Sequence, residues 1–158
     1  MSRKIDYSIN EPKTLTSDEI LQFLIEEDDN QDPKVSERVD LSEYAIKLAN
    51  YAYIFAARDC GRLVGFMAVY YNPYPEYSYS TYFGVKSEYQ KEEMVGLDLS
   101  SLAHSFWQTH KTKGIRYGIR KANKQLVRYH LKTGAIILSE EPFPGTDKIE
   151  LHMQKDFD

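Results

Sequence analysis

The chain has 158 residues, which is enough for one domain with a substantial core. Its content of 42% hydrophobic and 28% charged residues is typical of a soluble globular protein, and its single cysteine excludes an internal disulfide and a cysteine-based zinc site. The net charge of −4 gives no general attraction to nucleic acid, and no apolar run approaches the roughly 18 residues that a membrane-spanning helix needs.

The first half of the chain predicts a strand, two helices and then three strands joined by hairpins. Alternating residues at 4–9 indicate a short strand, and the first helix is expected to begin at an N-cap on Ser17. The second helix is predicted over 41–50, capped by Asp40 or Ser42. Three strands should follow at 53–57, 63–71 and 77–85, and the first hairpin turn uses the positive φ available to Gly61.

The second half predicts two strand–helix–strand connections. A long amphipathic helix is expected from about Lys91 to Thr112, followed by a strand over 115–120. The last helix should run from near Asn123 to Gly134, before strands at 135–139 and 148–153. The element order β-α-α-β-β-β-α-β-α-β-β predicts a mixed α/β fold, with a mixed sheet of about six to seven strands and helices on both faces.

Charge is distributed unevenly along the chain. Nine acidic and three basic residues lie between Met1 and Asp32, whereas eight basic residues and no acidic residue lie between Lys111 and Lys132. The basic stretch could face an anionic ligand, or it could coat solvated helix and strand faces. A nucleic-acid-binding module is disfavoured by the acidic remainder of the chain and by the missing recognition motifs, so we expect no nucleic-acid partner.

Three segments in this order resemble the GNAT superfamily of N-acyltransferases, over about residues 4–155. GRLVGFMAVY (61–70) resembles the second and third strands of that family. VKSEYQKEEMVGLDLSSL, which begins at Val85, is similar to its V-x-p-x-Y-[QR]-x-x-G-x-[GA] loop and helix, and NKQLVRYHLKTGA (123–135) is similar to its N-x-x-[AS]-x-x-[LF]-[YH]-x-x-x-G-F segment. The resemblance implies one acyl-CoA N-acyltransferase-like domain over 1–158, with a splayed sheet. It also implies acyl transfer from acetyl-CoA, as cosubstrate, to an amine. His110 and His152 have no partner at ligand spacing, so we expect no metal site.

The resemblance places the coenzyme A site where the strand ending at Val85 splays from the strand at 115–120. Backbone groups freed there can bind the pantetheine amides as an added strand would, and the pyrophosphate would lie on the following loop and helix start. The implied cofactor-binding residues are Phe83, Val85, Gln90, Lys91, Glu92, Glu93, Met94, Val95, Gly96 and Asn123, the last of which is also a predicted N-cap.

The loop before the long helix departs from the family pattern. Glu93 stands where the first glycine belongs, Val95 stands at the second small residue, and Gly96 falls one position late. A carboxylate at that position should repel a phosphate, although Glu92 and Glu93 would suit the first turn of a helix through its dipole. The alternative to an enzyme is therefore a catalytically silent GNAT-like fold that binds a ligand or a protein.

His130 stands where the family usually carries a tyrosine that protonates the leaving thiolate, and imidazole can supply a proton near neutral pH. The alternative is a histidine packed in the core. The strand at 77–85 carries no carboxylate in its middle, so the general base stays unidentified. Residues predicted to orient the amine are Tyr71, Tyr79 and Tyr82, and strand alternation puts Tyr82 on the face opposite to Tyr79, Thr81 and Phe83.

The acceptor is expected to be a small-molecule or peptide amine, because the acidic N-terminal third would attract a cationic amine such as an amino sugar, a polyamine or a peptide amine. No signal-type segment begins the sequence, so we expect a cytoplasmic protein without a membrane partner. The sequence leaves the oligomeric state open, a homodimer included.

Replacement of Glu93 tests the cost of a carboxylate in the phosphate loop. Glu93→Gly should tighten acetyl-CoA binding roughly tenfold, because relief of about 1.4 kcal/mol of repulsion corresponds to that factor. The gain should shrink with added salt, since exposed charges are screened over about 8–10 Å. Calorimetric titration of both proteins at two salt concentrations measures this. If neither protein binds millimolar acetyl-CoA, the loop only starts the helix and does not bind coenzyme A.

Overall fold

The computed structural model describes residues 4–31, 34–71, 77–90, 94–110, 112–143 and 147–157. Within these ranges, no helix is both long and apolar enough to cross a membrane. The same ranges contain no group of three or more histidine, cysteine, aspartate or glutamate side chains with a geometry that could hold a metal ion.

The described residues form four α-helices and seven strands in the predicted order. The helices are α1 (Ser17–Glu27), α2 (Leu41–Tyr51), α3 (Val95–Thr109) and α4 (Lys124–Lys132). The strands are β1 (Ile5–Asn10), β2 (Tyr53–Asp59), β3 (Arg62–Tyr70), β4 (Tyr77–Val85), β5 (Gly114–Arg120), β6 (Ile136–Pro142) and β7 (Ile149–Asp156). They form one sheet in the order β1-β2-β3-β4-β5-β7-β6, in which only β4 and β5 are parallel. The predicted mixed fold is confirmed.

Helices pack on both faces of the sheet, as predicted. α1 and α2 cover one face, where Phe23 and Leu48 pack with Phe66 of β3. α3 covers the opposite face, where Trp107 packs with Phe55 of β2. α4 lies over a smaller cluster of β5 and β7 side chains. This cluster is on the α3 side of the sheet, since the partly buried Tyr117 packs against both this cluster and the one beneath α3.

Side chains cap three of these helices. Thr16, rather than Ser17, caps α1, because Thr16 has extended backbone angles and its side-chain oxygen accepts a hydrogen bond from the Glu19 amide. The predicted cap was therefore wrong by one residue. Asp40 caps α2, and Asn123 caps α4 through its side-chain oxygen, as predicted.

The helix that was predicted from Lys91 begins only at Val95 and ends at Thr109 rather than Thr112. Met94 has a φ of 52°, and this left-handed conformation interrupts the right-handed helix before Val95. Glu92 and Glu93 lie outside the described residues. The first turn of α3 starts at Val95, so it does not include these two glutamates as the sequence predicted.

A β-bulge in β4 changes the predicted alternation of side chains. Ser80 pairs with Val69 and Tyr82 pairs with Ala68, so Thr81 is the extra residue on β4. The Thr81 hydroxyl lies 2.6 Å from the hydroxyl of Tyr44 on α2, and Tyr82 packs in the same α1–α2 core. The prediction that Thr81 and Tyr82 lie on opposite faces is therefore wrong, because alternation stops at a bulge.

Close approach of two backbones at Gly114 provides a test of the sheet register. A Cβ at this position would lie 2.1 Å from the Lys155 carbonyl oxygen on the adjacent strand. Gly114→Ala should lower the free energy of unfolding by at least the roughly 1–3 kcal/mol that overpacking usually costs, as measured by urea denaturation. Gly96→Ala is the matched control, since its Cβ would meet only the Phe83 ring at 3.9 Å. Equal stabilities of Gly114→Ala and wild type would contradict the close approach.

Candidate active site

The parallel strands β4 and β5 separate about halfway along their length. Their pairing covers only Tyr77–Ser80 against Gly114–Tyr117, whereas β4 continues to Val85 and β5 to Arg120. β4 stays paired with β3 as far as Val85, and β5 stays paired with β7 as far as Arg120. The predicted splay is confirmed. The gap beyond Ser80 and Tyr117 is called the cleft below, with its inner end at these two residues and its outer end at Val85.

The edge of β4 directs the backbone groups of Phe83 and Val85 into the cleft. The Lys86 amide donates to the Val64 carbonyl on β3 at 2.9 Å, so Lys86 points its backbone groups away from the cleft. Because successive residues of a strand point to opposite edges, Val85 and Phe83 point toward it. The side-chain Nε2 of Gln90 donates to the Val85 carbonyl at 2.7 Å, so this one acceptor is already engaged.

The N-terminus of α3 lies beside the outer end of the cleft. Gly96 is in the first turn of α3, and the nearest atoms to its missing side chain belong to the ring of Phe83. The first amide groups of a helix have no intrahelical acceptor and favour a bound anion. Gly96 therefore lies where backbone can approach a phosphate closely, although it falls one position late in the sequence pattern. The side chain of Met94 is 53% exposed and Val95 is buried.

Buried contacts hold the turn between β4 and α3 in place. Lys86 is 5% exposed, and its Nζ lies 3.0 Å from Glu26 Oε1 and 3.7 Å from Glu27 Oε2. The ammonium group of Lys86 lowers the pKa of the Glu26 carboxyl through a hydrogen bond. The hydroxyl of the buried Tyr89 donates to Asp59 Oδ2 at 2.5 Å. These contacts attach the turn to α1 and to the hairpin between β2 and β3.

A tyrosine–histidine pair lies at the inner end of the cleft, on the α4 side. Tyr117 is the last β5 residue that pairs with β4, and its hydroxyl lies 2.9 Å from His130 Nδ1. Burial, and to a smaller extent Lys155, lowers the pKa of His130, whereas burial and then Tyr129 raise the pKa of Tyr117 to about 12. Both groups are therefore neutral at pH 7, and the pair can donate a proton.

The structure does not favour the alternative of a core histidine at position 130. His130 is only half-buried, and no residue of α4 is fully buried. Sequence reasoning missed Tyr117, although a signal was present. Tyr117 lies in the middle of the strand that precedes the Asn-capped helix, and strand alternation places its side chain on the face toward that helix.

The tyrosines that were predicted to orient the amine do not lie together. Tyr82 is 5% exposed, and its ring stacks on Phe66 at a centroid distance of 4.8 Å, so it belongs to the core. Tyr71 lies on the α3 side, where its ring stacks on Trp107 and its hydroxyl donates to the His110 carbonyl at 2.5 Å. Tyr79 lies in the part of β4 that still pairs with β5. These positions do not support one tyrosine-lined substrate site.

One of the implied cofactor-binding residues, Asn123, has a local structural role. The side-chain oxygen of Asn123 accepts a hydrogen bond from the Leu126 amide at 3.3 Å, which engages it at the start of α4. Lys91, like Glu92 and Glu93, lies outside the described residues. Contacts of these three residues with coenzyme A stay predictions of the sequence.

Similarity to known proteins is found in structures and not in sequences. No protein-family model matches the chain, and no curated protein matches it. An acetyltransferase of the GNAT family from Streptococcus pneumoniae is 14% identical, with 98% of this chain and 100% of that chain covered at a TM-score of 0.67. The ribosomal-protein-S18-alanine N-acetyltransferase of Escherichia coli is 11% identical, with 96% and 94% covered at a TM-score of 0.69.

A third structure is that of a protein assigned as a streptothricin acetyltransferase from Bacillus anthracis, solved in complex with acetyl coenzyme A. It is 20% identical, and the match covers 68% of this chain and 64% of that chain at a TM-score of 0.56. Together with the splayed sheet, these similarities show that the chain has the fold of the GNAT acetyltransferases.

The lowered pKa of His130 predicts that this residue reduces stability in acid. The folded protein holds His130 neutral to a lower pH than the unfolded chain does, so the unfolded state binds more protons below about pH 6.5. The contribution of His130 to the free energy of unfolding should therefore fall as the pH is lowered from about 6.5 through the pKa of the folded protein. Urea unfolding of wild type and His130→Gln across this range measures the difference. A difference that is independent of pH would contradict the lowered pKa.

Proposed function

We propose that this protein transfers an acetyl group from acetyl-CoA to an amine of a small molecule or peptide. The observation that carries the proposal is the cleft between β4 and β5. Its strand edge at Phe83 and Val85 runs from the N-terminus of α3 to the Tyr117–His130 pair. A bound acetyl coenzyme A in a structure of the same fold adds support.

The residues of the cleft fit coenzyme A as a cosubstrate. An unpaired strand edge offers alternating donors and acceptors, which match the two amides of pantetheine. The first amides of α3, next to the bare Cα of Gly96, suit the pyrophosphate. Binding requires the Val85 carbonyl to exchange the Gln90 side chain for a pantetheine amide, since the two donors compete for it. When bound, acetyl-CoA supplies the acetyl group as a reactive thioester.

The Tyr117–His130 pair acts as the general acid for the leaving thiolate. A thiolate that leaves the acetyl group needs a proton, and a positioned donor typically accelerates such a step about 10²–10⁴-fold. The raised pKa of Tyr117 keeps its hydroxyl protonated at neutral pH, and the hydrogen bond to His130 connects it to a second proton carrier. The acid is thus a pair, whereas the sequence pointed to His130 alone.

The acceptor class is proposed from the charge of the N-terminal third and from the range of acceptors in proteins of this fold. The similar structures include one enzyme named for an alanine of a ribosomal protein and one named for streptothricin, a small molecule. Both kinds of acceptor therefore suit the fold, and we include both in the test.

A catalytically silent protein that binds a ligand or a protein is the second candidate. The hydrogen bond from Gln90 to the Val85 carbonyl favours it, because it closes one of the acceptors that coenzyme A would use. Glu92 and Glu93 favour it as well, since their charge opposes a pyrophosphate.

Acetyl-CoA should stabilise the wild-type protein. At 100 times its dissociation constant the ligand contributes about 2.7 kcal/mol, which shifts the Tm of a domain of this size by several degrees. Wild type should also release thiol from acetyl-CoA in the presence of spermidine, glucosamine or a short peptide with an N-terminal alanine. Tyr117→Phe and His130→Phe should each lower turnover about 10²-fold with little change in acetyl-CoA affinity.

Tyr51→Phe is the matched control, because Tyr51 is 67% exposed at the end of α2 and should leave turnover unchanged. Binding of acetyl-CoA without transfer to any of the three amines would favour the silent candidate. No binding at millimolar acetyl-CoA would exclude coenzyme A as a ligand. Unchanged turnover in both cleft variants would remove the pair as the proton donor.

A further inference from the structure

A carboxylate lies over the first β5 residue beyond the pairing with β4. That residue is Gly118, because the pairing ends with Ser80 and Tyr117. A Cβ on Gly118 would lie 2.6 Å from the carboxyl carbon of Glu150 and 2.7 and 2.9 Å from its two oxygens. The Glu150 carboxylate therefore occupies the space that any side chain at position 118 would fill, at the inner end of the cleft.

Strand alternation puts this carboxylate on the face opposite to the Tyr117–His130 pair. Tyr117 and Ile119 face the cluster beneath α4, together with Leu151 of β7. Gly118 and Glu150 alternate with these residues, so they belong to the other face of the sheet. The inner end of the cleft thus has a proton donor on one face and a carboxylate on the other.

A histidine holds the carboxylate in this position. His152 Nε2 lies 3.3 Å from Glu150 Oε1 and 2.8 Å from Glu141 Oε2. The Glu150 side chain is 16% exposed, whereas the Glu141 side chain is 59% exposed. His152 therefore connects the more buried carboxylate beside the cleft with a second carboxylate that faces solvent.

On the basis of the proposed acetyl transfer, we propose that Glu150 is the general base that binds the ammonium form of the acceptor and takes its proton, and that His152 positions it. An alkyl amine with a pKa of about 10.4 is almost fully protonated at neutral pH and has no free electron pair for attack. A carboxylate both attracts such a cation and accepts its proton. Glu150 supplies from β7 the carboxylate that β4 lacks.

The step balances with the groups on the two faces. Glu150 takes one proton from the ammonium group, and the freed nitrogen pair forms a bond to the thioester carbonyl carbon as the carbon–sulfur bond breaks. The nitrogen then loses a second proton to water, and the Tyr117–His130 pair gives one proton to the thiolate. Water reprotonates the pair, Glu150 releases its proton to solvent, and the net products are the acetylated amine, the free thiol and one proton.

Glu150→Gln tests the assignment, with the acceptor that gives wild type its highest rate among spermidine, glucosamine and the alanine peptide. At pH 7 turnover should fall about 10²-fold, with acetyl-CoA affinity unchanged. The deficit should shrink as the pH rises, because more of the acceptor is then neutral before it binds. The charged and titratable groups that face Glu150 are Arg120 in register on β5, Glu141 on β6 and His152 on β7.

Glu140→Gln is the matched control, since Glu140 carries the same charge on the opposite face, where it contacts Lys121 at 3.0 Å. It should retain wild-type turnover. Gly118→Ala should lower turnover without removal of either residue, because its Cβ displaces the carboxylate. His152→Phe should lower turnover, and His152→Gln should restore most of it, since glutamine keeps an N–H donor for Glu150.

If wild type transfers the acetyl group and Glu150→Gln transfers it at the same rate, the assignment of Glu150 alone is overturned. A deficit that stays constant with pH, or that comes with lost acetyl-CoA affinity, would show a structural role and also overturn it. Absence of transfer in wild type with all three acceptors would instead overturn the proposed function, and the assignment with it.

Discussion

The site depends on the early end of pairing between β4 and β5. The bulge at Thr81 directly follows Ser80, the last β4 residue that pairs with β5, and a bulge bends its strand and increases its twist. β4 therefore follows β3, β5 follows β7, and the two strands diverge. Backbone groups on the freed edge need partners, because amide and carbonyl groups are costly to leave unpaired away from water. A ligand with amides of its own suits that edge, where the Gln90 side chain donates to one carbonyl.

Strand alternation in β5 places different side chains on the two faces of the sheet beside the cleft. Alternate residues of β5 face opposite sides of the sheet, so Tyr117 reaches His130 on α4 while Gly118 leaves room for a carboxylate from β7. The proposed general acid and the proposed general base therefore lie on opposite faces of the sheet. The separation requires no special loop, because it follows from the two-residue period of a strand.

The outer end of the cleft depends on a different interaction. Lys86 is almost completely buried, and a buried ammonium group is costly unless it is paired. Glu26 and Glu27 pair with it, and the ring of Phe23 lies 5.3 Å from its Nζ. This contact ties the end of β4 to α1 and so sets where the chain leaves the sheet for α3.

Local patterns in the sequence were enough to predict the element order and the Asn123 cap, because each depends on residues close together in the chain. The splay and His130 as a candidate followed from the resemblance to the GNAT superfamily. The tertiary structure alone decided the Thr81 bulge, the left-handed Met94 that delays α3, and the pairing of Tyr117 with His130. It also decided that Glu150, 32 positions from Gly118 in the sequence, lies over that glycine. The bulge, the Tyr117–His130 contact and the position of Glu150 depend on strand register and on packing between distant segments. Local sequence does not fix either, since one shifted residue reverses every side chain on a strand.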